Sequence, residues 1–212
     1  MNILITGAGR GLGLHLAAEA LRRGHSVIAA VRNAAADGAL AKLEQQYKGR
    51  VAYAAFDVTD EQAIAQFAAD ASEAGITVDA VINNAAILTE RSASIETLNM
   101  DEVARSFEIN VFGPMKVVKH VLPLMNGTSG AIVNISSEAG SLHNAYGGDY
   151  PYAMTKTALN MFTEQLRHAV KERGIAVYSV HPGWIRTDMG ASKHPGTRKT
   201  ARQAFSILQR GK

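Results

Sequence analysis

The 212-residue sequence predicts an α/β fold, a single domain with a doubly wound parallel β-sheet flanked by helices, and three observations predict it. Short, near-continuously apolar runs alternate with longer stretches of helical periodicity. A glycine-rich turn, TGAGRGLG at 6–13, stands between the first such run and the first helical stretch. Neither a solenoid-period repeat nor a linker-like change of composition interrupts the pattern before about Gly190. Strands buried on both faces need apolar side chains throughout, and strand–helix alternation implies right-handed βαβ crossovers.

Strands are expected at 3–6, 26–31, 51–56, 78–83, 131–135 and 176–180. The first helix is expected over 12–23, where Leu12, Leu16, Ala20 and Leu21 share one face and Gly24 follows as a left-handed stop. Further helices are expected over 40–47, 61–74, 100–122 and 152–173, the last stopped by Gly174, with a turn cluster at 126–130. Beyond Gly190 the residues Lys193, His194, Pro195, Gly196, Arg198 and Lys199 crowd together, which reads as a C-terminal loop before a short helix, 191–212, attached to the main unit of 1–190.

Composition narrows the function classes. Lys and Arg number 22 against 19 Asp and Glu, a small surplus spread along the chain, so nucleic acid is not an expected partner. Cysteine is absent, which removes disulfides and thiolate chemistry and fits a reducing compartment. The seven histidines show no HxH or HExxH spacing, so no metal site is expected. The first strand begins almost at Met1, leaving no space for a secretory leader, and no apolar run reaches the length of a bilayer. These features read as soluble and cytoplasmic, with no membrane partner.

Thr6, Gly7, Gly9, Gly11 and Gly13 lie directly between a strand and a helix, the context in which a glycine pattern points to a dinucleotide. Glycines let the backbone approach a pyrophosphate, and free N–H groups at the helix start favour its charge; an ordinary glycine-rich turn is the alternative. This is the first crossover of a Rossmann-type fold. At the end of the second strand an acidic residue would accept from the adenosine ribose and repel a 2′-phosphate. Here Val31 fills that position, with Arg32 beside it and Arg10 inside the glycine turn. At an effective dielectric near 20, a charge about 4 Å from a phosphate is worth roughly 4 kcal/mol before desolvation. NADP is therefore expected over NAD, unless both arginines are merely solvated surface charges.

Tyr152 and Lys156 stand four residues apart in an expected helix, on one face. With them the chain carries Asp57 and Val58 after the third strand, NNAA at 83–86, Asn110, NISS at 134–137, YAMTK at 152–156 and HPG at 181–183. In this order, over about residues 2–190, the sequence resembles the short-chain dehydrogenase/reductase family. The wording HPGWIRTDMG at 181–190 is similar to carbonyl reductases of the sniffer and C-factor type.

The resemblance implies a catalytic tetrad of Asn110, Ser137, Tyr152 and Lys156. Tyr152 would donate the proton when a carbonyl is reduced and accept it in oxidation. A phenol titrates near 10, so exchange near neutrality wants about 3–4 kcal/mol of stabilisation of the phenolate, which the lysine and an oxidised nicotinamide could supply. Lys156 would also bind the nicotinamide ribose, Ser137 the reacting oxygen, and Asn110 a water leading to solvent. The implied coenzyme contacts are Gly7, Gly9, Arg10, Gly11, Leu12, Gly13, Arg32, Asp57, Val58, Asn84, Ala85, Ala86, Tyr152, Lys156, Pro182, Gly183, Ile185 and Thr187. Tyr146 and Tyr150 are near but have Tyr150 and Met154 four residues later, and Ser136 neighbours Ser137. A Gly147, Gly148, Asp149 insertion lengthens the serine-to-tyrosine interval. His181 reads as structural, with an acid/base role as the alternative.

The expected pocket rim comprises Ile87, Leu88, His143, Tyr146, Trp184 and Met189, suited to a neutral aldehyde, ketone or quinone and its alcohol, with Arg91 and Arg186 able to swing inward. A homodimer or homotetramer is expected, and most family members continue through a helix and a strand beyond the point where 209–212 end this chain. The expected activity is NADP(H)-dependent interconversion of a carbonyl and an alcohol; the alternative is an NADP-binding sensor that keeps the fold without turnover.

Overall fold

A computed structural model describes residues 1–33, 38–125 and 130–183. Trp184, Ile185, Arg186, Thr187, Met189 and the expected terminal helix lie outside the described residues, as does most of the 126–130 turn cluster. The strands are β1 (Asn2–Thr6), β2 (Ser26–Val31), β3 (Val51–Ala55), β4 (Ala80–Asn83), β5 (Ala131–Ile135) and β6 (Ala176–Val180). All pair in parallel, in the order β3-β2-β1-β4-β5-β6. This is the doubly wound Rossmann-type sheet, with the order reversing between β1 and β4, the place where such folds bind ligands.

Helices α1 (Gly11–Arg22) and α2 (Gly38–Gln46) supply Leu16, Leu21 and Leu40 to the core on one face, against Ile3, Ile5 and Val27. Helices α3 (Glu61–Glu73), α5 (Gly113–Val121) and α6 (Tyr150–Ala169) close the other with Ile64, Val117 and Leu166, against Leu4, Val81 and Ile132. The inner strands β1, β2, β4 and β5 are almost wholly buried, whereas β3 and β6, each paired with one strand among the described residues, are partly exposed.

The helix expected over 100–122 is broken. α4 (Met100–Phe107) passes into a π-helical turn, Glu108–Phe112, before α5 begins at Gly113. Periodicity across the segment stays helical, so the extra residue of a π turn leaves no mark in an apolar pattern; the turn carries Asn110, whose side chain bonds to Ile87 and Thr155 outside its own helix. α6 starts earlier than expected, at Tyr150, with Pro151 in its first turn where a missing N–H costs nothing. It ends at Ala169 and yields to a 3-10 turn, Lys171–Arg173. β4 starts at Ala80 rather than at 78, because the Val78 N–H turns away to the carbonyl of Leu124 at 3.0 Å. No helix among the described residues is long and apolar enough to cross a membrane.

Candidate active site

The ends of β1 and β4 are joined by side chains at the switch point. The Thr6 hydroxyl accepts from the backbone N–H groups of Asn84 and Ala85, both at 3.0 Å, and the Asn84 amide donates to the Thr6 carbonyl at 2.9 Å. The glycine turn is thereby fastened to NNAA. Gly13 does not face the open side of this turn: a Cβ there would lie 2.1 Å from the Gly7 carbonyl oxygen. It lets α1 pack on the turn, a different task from the coenzyme contact expected of it. Arg10 precedes α1 as its N-cap in extended backbone with no side-chain cap, and the first turn holds no acidic residue, which leaves the helix start suited to an anion.

A cavity of about 950 Å³ runs over this end of the sheet. Gly7, Gly9, Arg10, Gly11 and Leu12 line it, followed by Val31 and Arg32 beyond β2, Asp57 and Val58 beyond β3, and Asn84, Ala85 and Ala86 beyond β4. Its other end is walled by Ser137, Tyr152, Lys156, His181, Pro182 and Gly183. One continuous space thus joins nearly all the described coenzyme residues expected from the sequence. It is at the upper end of small-molecule sites in size, and Arg10, Arg32 and the helix start give it donors for an extended anionic ligand.

Lys156 is 2% exposed and its Nζ donates to the Ile135 carbonyl at 2.7 Å. Burial draws its pKa from 10.5 down to about 8. The same Nζ lies 5.4 Å from the centre of the Tyr152 ring, beneath its face. The expected lowering of the Tyr152 pKa is not found in the chain alone: burial pushes the phenol up, and the pull of the Ser137 hydroxyl toward the phenolate is the weaker effect. Burial lowers the lysine's own pKa, and its ammonium is held by the Ile135 carbonyl.

Ser136 and Ser137 both line the cavity but differ in what their hydroxyls do. Ser136 is 3% exposed and spends its hydroxyl on Asn160 Oδ1 at 2.7 Å, while Ser137 caps the following 3-10 turn, its Oγ accepting from the Ala139 N–H at 3.2 Å. Asn110 stays behind the wall, 1% exposed. Its Oδ1 accepts from the Ile87 N–H at 2.8 Å, and its Nδ2 donates to the Ile87 carbonyl at 2.9 Å and to Thr155 Oγ1 at 3.1 Å. Thr155 also donates to the Tyr152 carbonyl at 2.8 Å. Thr6 and Thr155 stand inside motifs the sequence reading named, but their hydrogen-bonding roles were not assigned there, because they depend on partners distant in the chain.

On the substrate side Ile87, Leu88 and Tyr146 line the cavity as expected, and His143 does not. Arg91, one of the two arginines expected to be able to turn inward, lines it too, together with Glu138, Asn144 and Asp149, which the sequence reading did not place there. Asp149 Oδ1 stands 3.7 Å from Arg91 Nε, and its Oδ2 accepts from the Tyr146 hydroxyl at 2.9 Å. The inserted aspartate adopts a left-handed backbone, φ 47°, at the start of α6. His181 accepts through Nδ1 from the Glu138 N–H at 3.2 Å, a structural contact made by a cavity residue.

A glycine turn at the switch point of a parallel sheet, one cavity, and a tyrosine above a buried lysine define a nucleotide-dependent oxidoreductase. Residues 1–198 match the profile of the short chain dehydrogenase family, and the chain belongs to it. Members are oxidoreductases that bind a nicotinamide coenzyme. The chain is 34% identical over 190 residues, 89% of its length and 79% of the other's, to the 1-hydroxy-2-glutathionyl-2-methyl-3-butene dehydrogenase of Rhodococcus sp. (strain AD45). It is similar to the solved carbonyl reductase Sniffer of D. melanogaster, with a TM-score of 0.90, 29% identity and coverage of 98% of this chain and 90% of that one. The NADPH-bound carbonyl reductase from chicken fatty liver gives a TM-score of 0.89 at 28% identity, over 98% and 90% of the two chains.

Proposed function

We propose that the protein is an NADP(H)-dependent oxidoreductase that interconverts a carbonyl, an aldehyde, ketone or quinone, with its alcohol. The observation that carries this reading is a single cavity with Ser137, Tyr152 and Lys156 at one end and Arg10, Val31 and Arg32 at the other. An aspartate or glutamate at the position of Val31 would favour the ribose hydroxyls of NAD; Val31 at that position, with Arg32 beside it and Arg10 in the glycine turn, favours a 2′-phosphate. The similarity to carbonyl reductases, one of them NADPH-bound, supports the same assignment.

When bound, the reduced coenzyme supplies a hydride. The chain's part is the proton and the geometry. Ser137 holds the carbonyl oxygen by hydrogen bond; Tyr152 delivers its phenolic proton to that oxygen as the carbon is reduced; Lys156 favours the phenolate left behind. Asn110 holds the π turn and the Ile87 backbone against α6 and orders the path behind Lys156. Loss of NADPH absorbance with a panel of neutral aldehydes, ketones and quinones tests the reading. Turnover of any of them supports it, and tight NADPH binding with no turnover across the panel rejects it in favour of a sensor.

A further inference from the structure

Helix α6 places a third polar residue in line with the tyrosine and the lysine. Asn160 follows Lys156 by four residues and Tyr152 by eight, so it shares their face. It lies off the cavity. Asn160 Oδ1 accepts two hydroxyl protons, from Ser136 at 2.7 Å and from Ser179 at 2.6 Å, and Nδ2 donates to the Gly140 carbonyl at 3.3 Å. Because a carbonyl only accepts, Gly140 fixes which end of the amide is nitrogen. One side chain therefore ties together the residue leaving β5, strand β6 and the end of the 3-10 turn Glu138–Gly140.

Ser137 sits between two of those anchors, one residue after Ser136 and three before Gly140. The anchored segment also rests directly on α6: a Cβ at Gly140 would come within 2.7 Å of the Lys156 carbonyl carbon. Thr157 adds a further hydrogen bond to the Gly140 carbonyl, at 3.2 Å. The distance between segment and helix is thus set by contact, and its orientation by Asn160.

We propose that Asn160 is a positioning residue of the reaction, holding the 136–140 segment so that Ser137 keeps its place beside Tyr152 on the cavity wall. It acts through Ser137 and touches neither substrate nor coenzyme. The inference rests on the reading of Ser137 as the group that holds the substrate oxygen. A reacting group displaced by about 1 Å loses on the order of 100-fold in rate, while coenzyme contacts at the glycine turn are untouched.

A double-mutant cycle in kcat, with the NADPH Kd measured on every variant, tests it. Asn160→Ala is expected to lower kcat by about 10- to 100-fold, with the Kd for NADPH held within about two-fold. In a Ser137→Ala background the same change is expected to add less than about two-fold, because the group it positions is already gone. Undiminished losses in that background, an unaltered kcat in Asn160→Ala, or a parallel weakening of NADPH binding would each overturn the proposal. If Asn160→Ala does not fold, Ser136→Ala decides. It removes one anchor and keeps the Gly140 contact, and a kcat equal to wild type there is equally fatal. Full activity in Ser137→Ala alone refutes the underlying role of Ser137, a failure visible before Asn160 is altered.

Discussion

At Lys156 a cation is almost wholly buried, with 2% of the residue exposed. Its pKa falls from 10.5 to about 8 through burial, which corresponds to about 3 kcal/mol of preference for the neutral form. Between those two pH values the unfolded chain keeps a proton that the folded chain has released, so stability rises with pH across that window, and below pH 8 the penalty is present in full. Lys156→Met is therefore expected to be more stable than wild type at pH 7 by about 1–3 kcal/mol, the lost hydrogen bond to Ile135 offsetting part of the gain. That advantage is expected to vanish toward pH 10.5. Urea unfolding of the two proteins across this range checks it; a difference independent of pH contradicts it. The identity of this pair was legible because four residues on a helix is a local relation. The direction of the Tyr152 pKa was not, because burial of the phenol and the hold of Ile135 on the lysine come from strands far away in the chain.

The π turn Glu108–Phe112 is the element on which the rear of the site depends. It adds a residue to the helical path and turns Asn110 inward, where one carboxamide pairs both backbone groups of Ile87 and the hydroxyl of Thr155. Lys116 fastens the same turn from outside, bonding to Glu108 and to the Thr59 carbonyl. Such turns are rare and gather at functional sites. Asn110→Ala would leave the Ile87 N–H and carbonyl unsatisfied, and is expected to destabilise the fold by about 2–4 kcal/mol. The urea midpoint measures this, and a loss below about 0.5 kcal/mol would show that the turn holds without its asparagine. The sequence placed Asn110 in this helix by its family position, yet a 3.6-residue apolar pattern carries no sign of one inserted residue. The stop marked by Gly174 was legible to within a few residues, since that signal is chemical and local.

Across the whole molecule, the two halves of the sheet are joined at its centre by the β1–β4 pair and by the clasp of Thr6 on Asn84 and Ala85, above which the cavity lies. A ligand spanning that cavity holds both halves and stabilises the folded state by mass action. NADPH at about 100 times its Kd is expected to add about 2.7 kcal/mol, seen as a rise in Tm of about 5–10 °C for a chain of this size. NADH at the same concentration is expected to give a clearly smaller rise, and Arg32→Asp to narrow or invert the difference. Equal shifts with both coenzymes, or a difference indifferent to Arg32, would contradict the NADP assignment. The parallel sheet was readable from the alternation of apolar strands with helices. That β3 and β6 are the edges follows from strand order, which no local window contains, although their weaker apolar character was the trace it left.

Proton delivery by Tyr152 is tested most directly by following NADPH oxidation and NADPH binding together in Tyr152→Phe. The ring and its packing over Lys156 are retained and a single oxygen is removed. The Kd for NADPH is expected to stay within about two-fold of wild type while turnover of any active carbonyl substrate falls by about 1,000-fold or more. Turnover at the wild-type rate would mean that the proton comes from elsewhere.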